Sequence, residues 1–161
     1  MTPFLGVTAA IGAVGAGKAA VAEFQRQMRG RPLPMSTQTQ ADRVPMQMRL
    51  AHAGSDVATA EATLRRIVNW NVELAAGAKP ATFEQRAFMR LQIAQAVAMC
   101  RAAVTSLMNA AGAGAHARAN PLQRYFRDVS VMSNHIIYDI DGAAELYGRA
   151  LLGMEPNNSL Y

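Results

Sequence analysis

The feature that most constrains the fold is a long apolar stripe at helical spacing in residues 45–76. Such a heptad stripe is typical of a long helix that buries one side against antiparallel neighbours. Asn71 interrupts it, and either fixes the register of the packing or marks a helix end that reaches solvent. The apolar positions alternate steps of four and three residues: Met46, Leu50, Ala53, Val57, Ala60, Leu64, Ile67 and Leu74.

Three further segments carry helical signals. Residues 4–29 are rich in Gly and Ala, which lets a neighbouring helix approach closely. Thr82 precedes the third segment as an N-cap with Gln85 three residues on, and Asn120 precedes the fourth in the same way. We therefore predict an all-α fold, an up-down four-helix bundle, with residues 1–161 as a single domain. The predicted helices span about residues 4–29, 45–76, 82–111 and 121–152. The last of them either continues after His135 or breaks at Asp141-Gly142, where Asp141 could cap a short closing helix over residues 143–152.

Composition excludes several functional classes. The net charge is +5, but the arginines that supply it are spread along the chain without a dense basic run, so we expect no nucleic-acid interface. The single cysteine, Cys100, excludes an internal disulfide framework and a cysteine-only metal cluster, and we predict no metal site. A reducing cytoplasm is the compartment that this cysteine usage fits best.

The apolar N-terminal segment has features of two other functions, a membrane span and a phosphate-binding loop. Lys18 and Glu23 interrupt it before the roughly 20 apolar residues that a membrane span needs, so we expect no membrane association. Residues 12–18 match the GxxxxGK part of a phosphate-binding P-loop, but Ala19 lacks the hydroxyl that would hold Mg²⁺. A P-loop also needs parallel-strand units after it, and no strand-like run follows until residues 136–138, so nucleotide binding is disfavoured.

The best chemical candidate is His135, in residues 120–153. Asp128 is seven residues before it and Asp139 four residues after it, so a continuous helix would place all three on one face. Asp139 would then be near enough to hydrogen-bond the ring. Such a histidine can exchange a proton near neutral pH. The alternative is a structural histidine held by hydrogen bonds inside the bundle.

The same stretch resembles the C-terminal end of the acyl-CoA dehydrogenase superfamily. Within it, the chain is most similar to the oxygenase components of two-component, reduced-flavin-dependent aromatic monooxygenases. The Glu-Gly-Thr of the true dehydrogenases is replaced by HIIYDID, which begins at His135, and this disfavours acyl-CoA dehydrogenation. The residues that carry the resemblance are NPLQR at 120–124, Arg127 with Asp128, His135, and LYGRALLG at 146–153.

The resemblance implies a role for particular residues and a set of partners. His135 would lie over the flavin and the substrate, with Asn134 or Asp139 orienting its ring. The implied cofactor is reduced FMN or FAD supplied by a separate flavin reductase. Oxygen would add at the flavin C4a to form a hydroperoxide, whose terminal oxygen is transferred to an aromatic substrate such as a phenol. The implied assembly is a homo-oligomer, either a dimer or a tetramer.

A second hypothesis belongs to a different class. The family's full chain has an N-terminal helical domain and a β-domain before the bundle, and these hold much of the flavin pocket. We therefore expect this chain alone to be inactive as an enzyme. It would then be a monooxygenase domain of a larger enzyme, or else a non-catalytic oligomerisation or docking module whose partner supplies the missing domains.

Overall fold

A computed structural model describes residues 3–77 and 80–158, and the chain forms the expected helical bundle. Helices α1 to α4 pack together, and α5 is added beside α3. Within the described ranges no strand forms, and the only β pairing is an isolated bridge between Pro32 and Thr39. The helices are α1 (Pro3–Gly30), α2 (Val44–Ala76), α3 (Phe83–Ala111), α4 (Pro121–Ser133) and α5 (Ile140–Leu151).

Helix α3 is the centre of the bundle, because it contacts all four of the other helices. Its buried side chains therefore face several directions, and they are mostly small or unbranched. Burying them supplies the hydrophobic free energy that this helix contributes to folding. The largest fully buried ones are Met89, Val97, Cys100, Val104, Leu107 and Met108.

Small residues bring α1 close to its neighbours, as the sequence predicted. A Cβ added to Gly17 would lie 2.9 Å from Cγ2 of Val57 on α2. A Cβ added to Gly12 would lie 3.0 Å from Sδ of Met132 on α4. Glycine at these positions lets the helices approach more closely than a methyl side chain would allow.

The predicted helix starts are also confirmed. The Thr82 hydroxyl accepts a hydrogen bond from the Gln85 backbone N–H, and the Gln85 side chain completes the capping box. Asn120 Oδ1 accepts from the Leu122 backbone N–H at 3.0 Å, with Pro121 at the first helical position. Gln27 Nε2 donates to the same oxygen at 2.8 Å, which links α1 to the start of α4.

The apolar stripe of α2 faces the core, and Asn71 lies within the packing. Its side-chain Nδ2 donates to the Ile67 carbonyl at 2.8 Å and is 3.5 Å from Sδ of Met89 on α3. This position favours a role in helix packing. The lone tryptophan, Trp70, contacts Phe88 of α3 with ring centroids 6.1 Å apart, which links α2 to α3.

The last predicted helical segment, residues 121–152, is broken, and the break comes earlier than either sequence alternative. Helix α4 ends at Ser133, a 3₁₀ turn spans Ile136–Tyr138, and α5 begins at Ile140. The break therefore precedes the Asp141-Gly142 pair that the sequence suggested. Ser133 Oγ bonds the Ser130 carbonyl at 3.0 Å and His135 Nδ1 accepts from the Ile137 N–H at 3.2 Å. Such local side-chain bonds compete with the helical backbone pattern.

Two further observations concern the expectations for membrane association and for nucleotide binding. Helices Phe4–Gly30 and Phe83–Ala111 are long and apolar enough to cross a membrane by length and composition alone, a test that core helices of soluble proteins also pass. Both form part of the bundle core. The P-loop-like residues 12–18 lie inside α1, where Lys18 Nζ pairs with Glu61 at 2.8 Å, so they form no phosphate-binding loop.

Candidate functional site

The break between α4 and α5 creates the site, which we call the His135 segment (residues 134–139). Two of its side chains, Ile137 and Tyr138, are buried and attach it to the bundle. The Tyr138 hydroxyl donates to the Gly6 carbonyl of α1 at 3.3 Å. The other residues of the segment, including His135, are exposed, and the buried Ile137 and Tyr138 hold the segment against the bundle.

The ring of His135 is held by the backbone of its own segment. Its Nδ1 accepts a hydrogen bond from the Ile137 N–H at 3.2 Å, which makes His135 the N-cap of the 3₁₀ turn. A neutral imidazole whose Nδ1 is an acceptor carries its proton on Nε2. The proton position follows from the hydrogen-bond pattern. The neutral ring of His135 is therefore the Nε2–H tautomer.

The residues expected to assist His135 occupy different places from those that the spacing suggested. Asp128 pairs with Arg127 at 3.0 Å on α4 and does not share a helix with His135. The expectation that the two lie on one helix face is therefore wrong. Asn134 is the C-cap of α4, and its Oδ1 accepts from Arg101 Nη1 at 3.2 Å.

Asp139 lies at the other end of the segment as the N-cap residue of α5. One of its carboxylate oxygens, Oδ2, is only 2.5 Å from where a Cβ on Gly142 would be. Its carboxylate therefore lies over the first turn of α5, in space that glycine leaves open. The bond that orients the His135 ring comes from Ile137, and orienting roles for Asn134 and Asp139 stay predictions.

A residue that sequence reasoning missed is Arg90 of α3, which is only 7% exposed. Among the described residues, its Nε and Nη1 have no hydrogen-bond partner. Burial lowers the pKa of the Arg90 guanidinium, and attraction to the Asp139 carboxylate partly offsets this. The signal was present, because Arg90 lies three residues after Ala87 and four before Ala94 on the apolar face of α3.

Three exposed apolar side chains lie close to His135 in the chain, beside the exposed polar residues Asn134 and Asp139. Val131 is 69% exposed, Ile136 61% and Ile140 40%, and each lies within five residues of His135. Exposed apolar side chains next to a polar ring suit a flat apolar ligand or a covering domain. Over the described parts of the chain, no group of three or more metal-ligating side chains occurs.

The fold and this site together define a class of protein, the all-helical bundle domains of acyl-CoA dehydrogenase type. Residues 7–140 match the profile of the family described as "Acyl-CoA dehydrogenase, C-terminal domain", and the chain belongs to this family.

Relatives within the family point to flavoenzymes. The chain is 33% identical over 149 residues to the oxygenase component of p-hydroxyphenylacetate 3-hydroxylase from Acinetobacter baumannii, covering 91% of this chain and 35% of the relative. The structure of XiaF from Streptomyces sp., in complex with FADH2 and glycerol, matches with a TM-score of 0.90 and 28% identity over 98% of this chain and 40% of XiaF. The HsaA monooxygenase of Mycobacterium tuberculosis matches with a TM-score of 0.85 and 26% identity, over 99% of this chain and 40% of its own. The chain thus spans 35–40% of the length of these relatives.

Proposed function

We propose that the chain is the C-terminal helical domain of the oxygenase component of a monooxygenase that uses reduced flavin to hydroxylate an aromatic compound. The observation that carries the proposal is the His135 segment, which presents an exposed imidazole among apolar side chains on a fixed turn. The similarity to oxygenase components over 91% of the chain supports the same reading.

The residues present fit a flavin cofactor. A flavin ring is flat and largely apolar, with polar atoms at its edge, and the His135 segment offers exposed Ile136 beside the Nε2–H of His135. We propose that His135 and Ile136 hold reduced FMN or FAD, which a separate flavin reductase supplies. When bound, the flavin would activate oxygen for transfer to the aromatic ring by the route that the resemblance implies.

The hydrogen bond to Nδ1 favours one of two roles for His135. A neutral ring with its proton on Nε2 donates a hydrogen bond to the ligand. Accepting a phenolic proton on Nε2 requires the ring to carry its proton on Nδ1 instead, which breaks the bond from Ile137 at a cost of about 0.5–1.5 kcal/mol. We therefore propose that neutral His135 acts as a hydrogen-bond donor that positions the substrate oxygen or the flavin edge.

A chimera tests this function. The chain replaces the matching segment of the A. baumannii oxygenase component, and hydroxylation of a phenol is measured in air with a flavin reductase. We expect product formation, and a loss of about 100-fold or more in His135→Gln. The matched control is His52→Gln, because His52 is exposed on α2. A folded chimera that forms no product, or His135→Gln with normal turnover, contradicts the proposal.

The alternative is a non-catalytic module that assembles with a partner. The exposed apolar side chains at the start of α1 favour it, since Phe4 is 57%, Leu5 56% and Ile11 57% exposed. Both proposals include a homo-oligomer, either a dimer or a tetramer, in the cytoplasm. A stable oligomer with a chimera that folds but does not hydroxylate would favour the assembly module.

A further inference from the structure

Gly6 of α1 contacts the His135 segment directly. It is buried near the start of the helix. Its carbonyl accepts a hydrogen bond from the Tyr138 hydroxyl at 3.3 Å. A Cβ added to Gly6 would lie 3.5 Å from Cδ1 of Ile137, and 3.3 Å from Cδ1 of Ile93 on α3. Two consecutive residues of the segment therefore pack against a single residue of α1.

The neighbours of Gly6 differ from those of other glycines in α1. Gly12 lies against α4 and Gly17 against α2, whereas a Cβ added to Gly15 would meet nothing within 4 Å. Glycine is less favourable inside a helix than every other residue except proline. At Gly6 the missing side chain leaves room for the end of the Ile137 side chain, so this glycine acts on the His135 segment.

The two residues that pack against Gly6 are also the two that bond to His135. The Ile137 N–H donates to the ring at Nδ1, at 3.2 Å. The Tyr138 N–H donates to the His135 carbonyl at 2.8 Å. The rings of His135 and Tyr138 have centroids 6.3 Å apart. A displacement of Ile137 or Tyr138 away from α1 therefore moves a backbone donor of His135.

We propose that Gly6 is a positioning residue for His135. By leaving room for Ile137 and accepting from the Tyr138 hydroxyl, it holds the 3₁₀ turn against α1. The Ile137 N–H then stays on Nδ1, which keeps the neutral ring in its Nε2–H form. The inference rests on the proposed function, because the tautomer matters to catalysis only if the ring meets a ligand. Its test needs no flavin, so the two proposals fail separately.

The test uses the full chain labelled with ¹⁵N-histidine, and the ring nitrogen signals of His135 are read at a pH where the ring is neutral. The chain has three histidines, and His135→Gln assigns the signal. Gly6→Val adds two methyl carbons beyond a Cβ that already lies in contact with Ile93 and Ile137. We expect the ratio of the Nε2–H to the Nδ1–H tautomer to fall about fivefold, the factor for losing one ordinary hydrogen bond.

A smaller side chain at the same position gives a graded comparison. Gly6→Ala adds only the Cβ, which would lie at an ordinary contact distance of 3.5 Å from Cδ1 of Ile137. The closer neighbour, at 3.3 Å, is Ile93, which belongs to α3 and not to the segment. The tautomer ratio in Gly6→Ala should therefore stay within about twofold of the parent chain, since the bond from Ile137 is kept.

Two matched glycine variants separate positioning from stability. Gly15→Val makes the same substitution in α1 where an added Cβ meets nothing, and it should leave the ratio unchanged. Gly17→Val makes it at a buried glycine against Val57 of α2, with an added Cβ 2.9 Å from Cγ2 of Val57. This variant should lower the melting temperature, because the core is overpacked, and still leave the ratio unchanged.

The hydroxyl of Tyr138 is tested by a second pair of variants. Tyr138→Phe removes the bond to the Gly6 carbonyl and leaves Ile137 in contact with Gly6. The ratio should fall by about twofold, the lower end of the range for one hydrogen bond. Tyr147→Phe is the matched control on α5, where the ring packs against Phe88 with centroids 5.2 Å apart, and it should leave the ratio unchanged.

An unchanged tautomer ratio in folded Gly6→Val overturns the proposal, and so does an equal fall in Gly17→Val. If Gly6→Val does not fold, Tyr138→Phe decides, because it removes a single oxygen atom, and an unchanged ratio there overturns the proposal. A shifted ratio together with a folded chimera that does not hydroxylate contradicts the proposed function alone. An unchanged ratio together with hydroxylation contradicts only the role of Gly6.

Discussion

Alanine at Gly17 is expected to destabilise the bundle, whereas alanine at Gly15 in the same helix is expected to stabilise it. Gly17 is buried, and an added Cβ would lie 2.9 Å and 3.3 Å from the two methyl groups of Val57. Gly15 is exposed, and an added Cβ there would meet nothing within 4 Å. The two variants therefore make the same substitution in one helix, once against a neighbouring side chain and once in open space.

The expected magnitudes follow from two opposing effects. Replacing glycine by alanine inside a helix stabilises it by about 0.8–1.0 kcal/mol at either position. At Gly17 the overlap with Val57 opposes this gain, and overpacking of a core typically costs about 1–3 kcal/mol. Val57 is 3% exposed and β-branched, so it has little freedom to move away. The variants should differ by about 2 kcal/mol, or about 4–8 °C in melting temperature for a chain of this size.

Urea denaturation followed by circular dichroism and by Trp70 fluorescence measures the difference. Gly15→Ala should raise the free energy of unfolding, and Gly17→Ala should lower it or leave it unchanged. Adding Val57→Ala to Gly17→Ala should give a smaller loss than the sum of the two single changes, because the overlap is removed. If Gly17→Ala is as stable as Gly15→Ala, the close approach of α1 and α2 is wrong.

Three other predictions concern single side chains. The hydrogen bond from Arg26 lowers the pKa of Glu23 below its ordinary value of 4.5. The stability that Glu23 contributes is therefore present above pH 4.5 and is lost as the pH falls through the lower folded-state pKa. Glu23→Gln should flatten the acid side of a plot of melting temperature against pH, and an unchanged slope would refute this. Burial raises the pKa of the Cys100 thiol to about 11, so at neutral pH its alkylation should be far slower in the native chain than in urea, and equal rates would mean that the thiol is accessible. Tyr138→Phe removes the hydrogen bond to the Gly6 carbonyl and should lower the unfolding free energy by about 1 kcal/mol in urea denaturation, whereas no loss would show that this bond contributes nothing.

The bundle was predictable because its determinants are local in sequence. The stripe of α2 and the capping residues Thr82 and Asn120 act over a few residues, and the structure confirms them. The small residues of α1 also predicted close packing, because a glycine or alanine lets a neighbouring helix approach whichever helix that is. Which neighbour Gly17 would meet, however, depends on how α1 and α2 are aligned.

The break in the last helix was predictable only in part. Asp141-Gly142 is a common end signal, but Gly142 lies in the first turn of α5, where its missing Cβ makes room for the Asp139 carboxylate. The actual break follows Ser133, where serine, asparagine and histidine occur in succession and all favour local hydrogen bonds over helix. Each of these preferences is weak, so tertiary contacts such as the hydrogen bond from Tyr138 to Gly6 decide whether the helix continues or breaks.

His135 was a candidate both by its spacing from two aspartates and by resemblance, and the spacing argument for Asp128 is wrong. The spacing assigned Asp128 to its face, but the chain turns before His135 and the ring is oriented by the Ile137 backbone. Arg90 escaped attention because α3 was interpreted as an ordinary apolar face. Its place in the apolar stripe signals burial, but the lack of a hydrogen-bond partner for its Nε and Nη1 among the described residues depends on tertiary packing, which no local pattern reports.

The most direct test of the central claim, that His135 meets a reduced flavin, is an anaerobic titration of the ¹⁵N-histidine-labelled chain with reduced FMN and with reduced FAD. We predict that one of the two flavins changes the ring signals of His135 in a saturable way, while those of His52 on α2 stay unchanged. No saturable change with either flavin, or equal changes at His135 and His52, would contradict the claim.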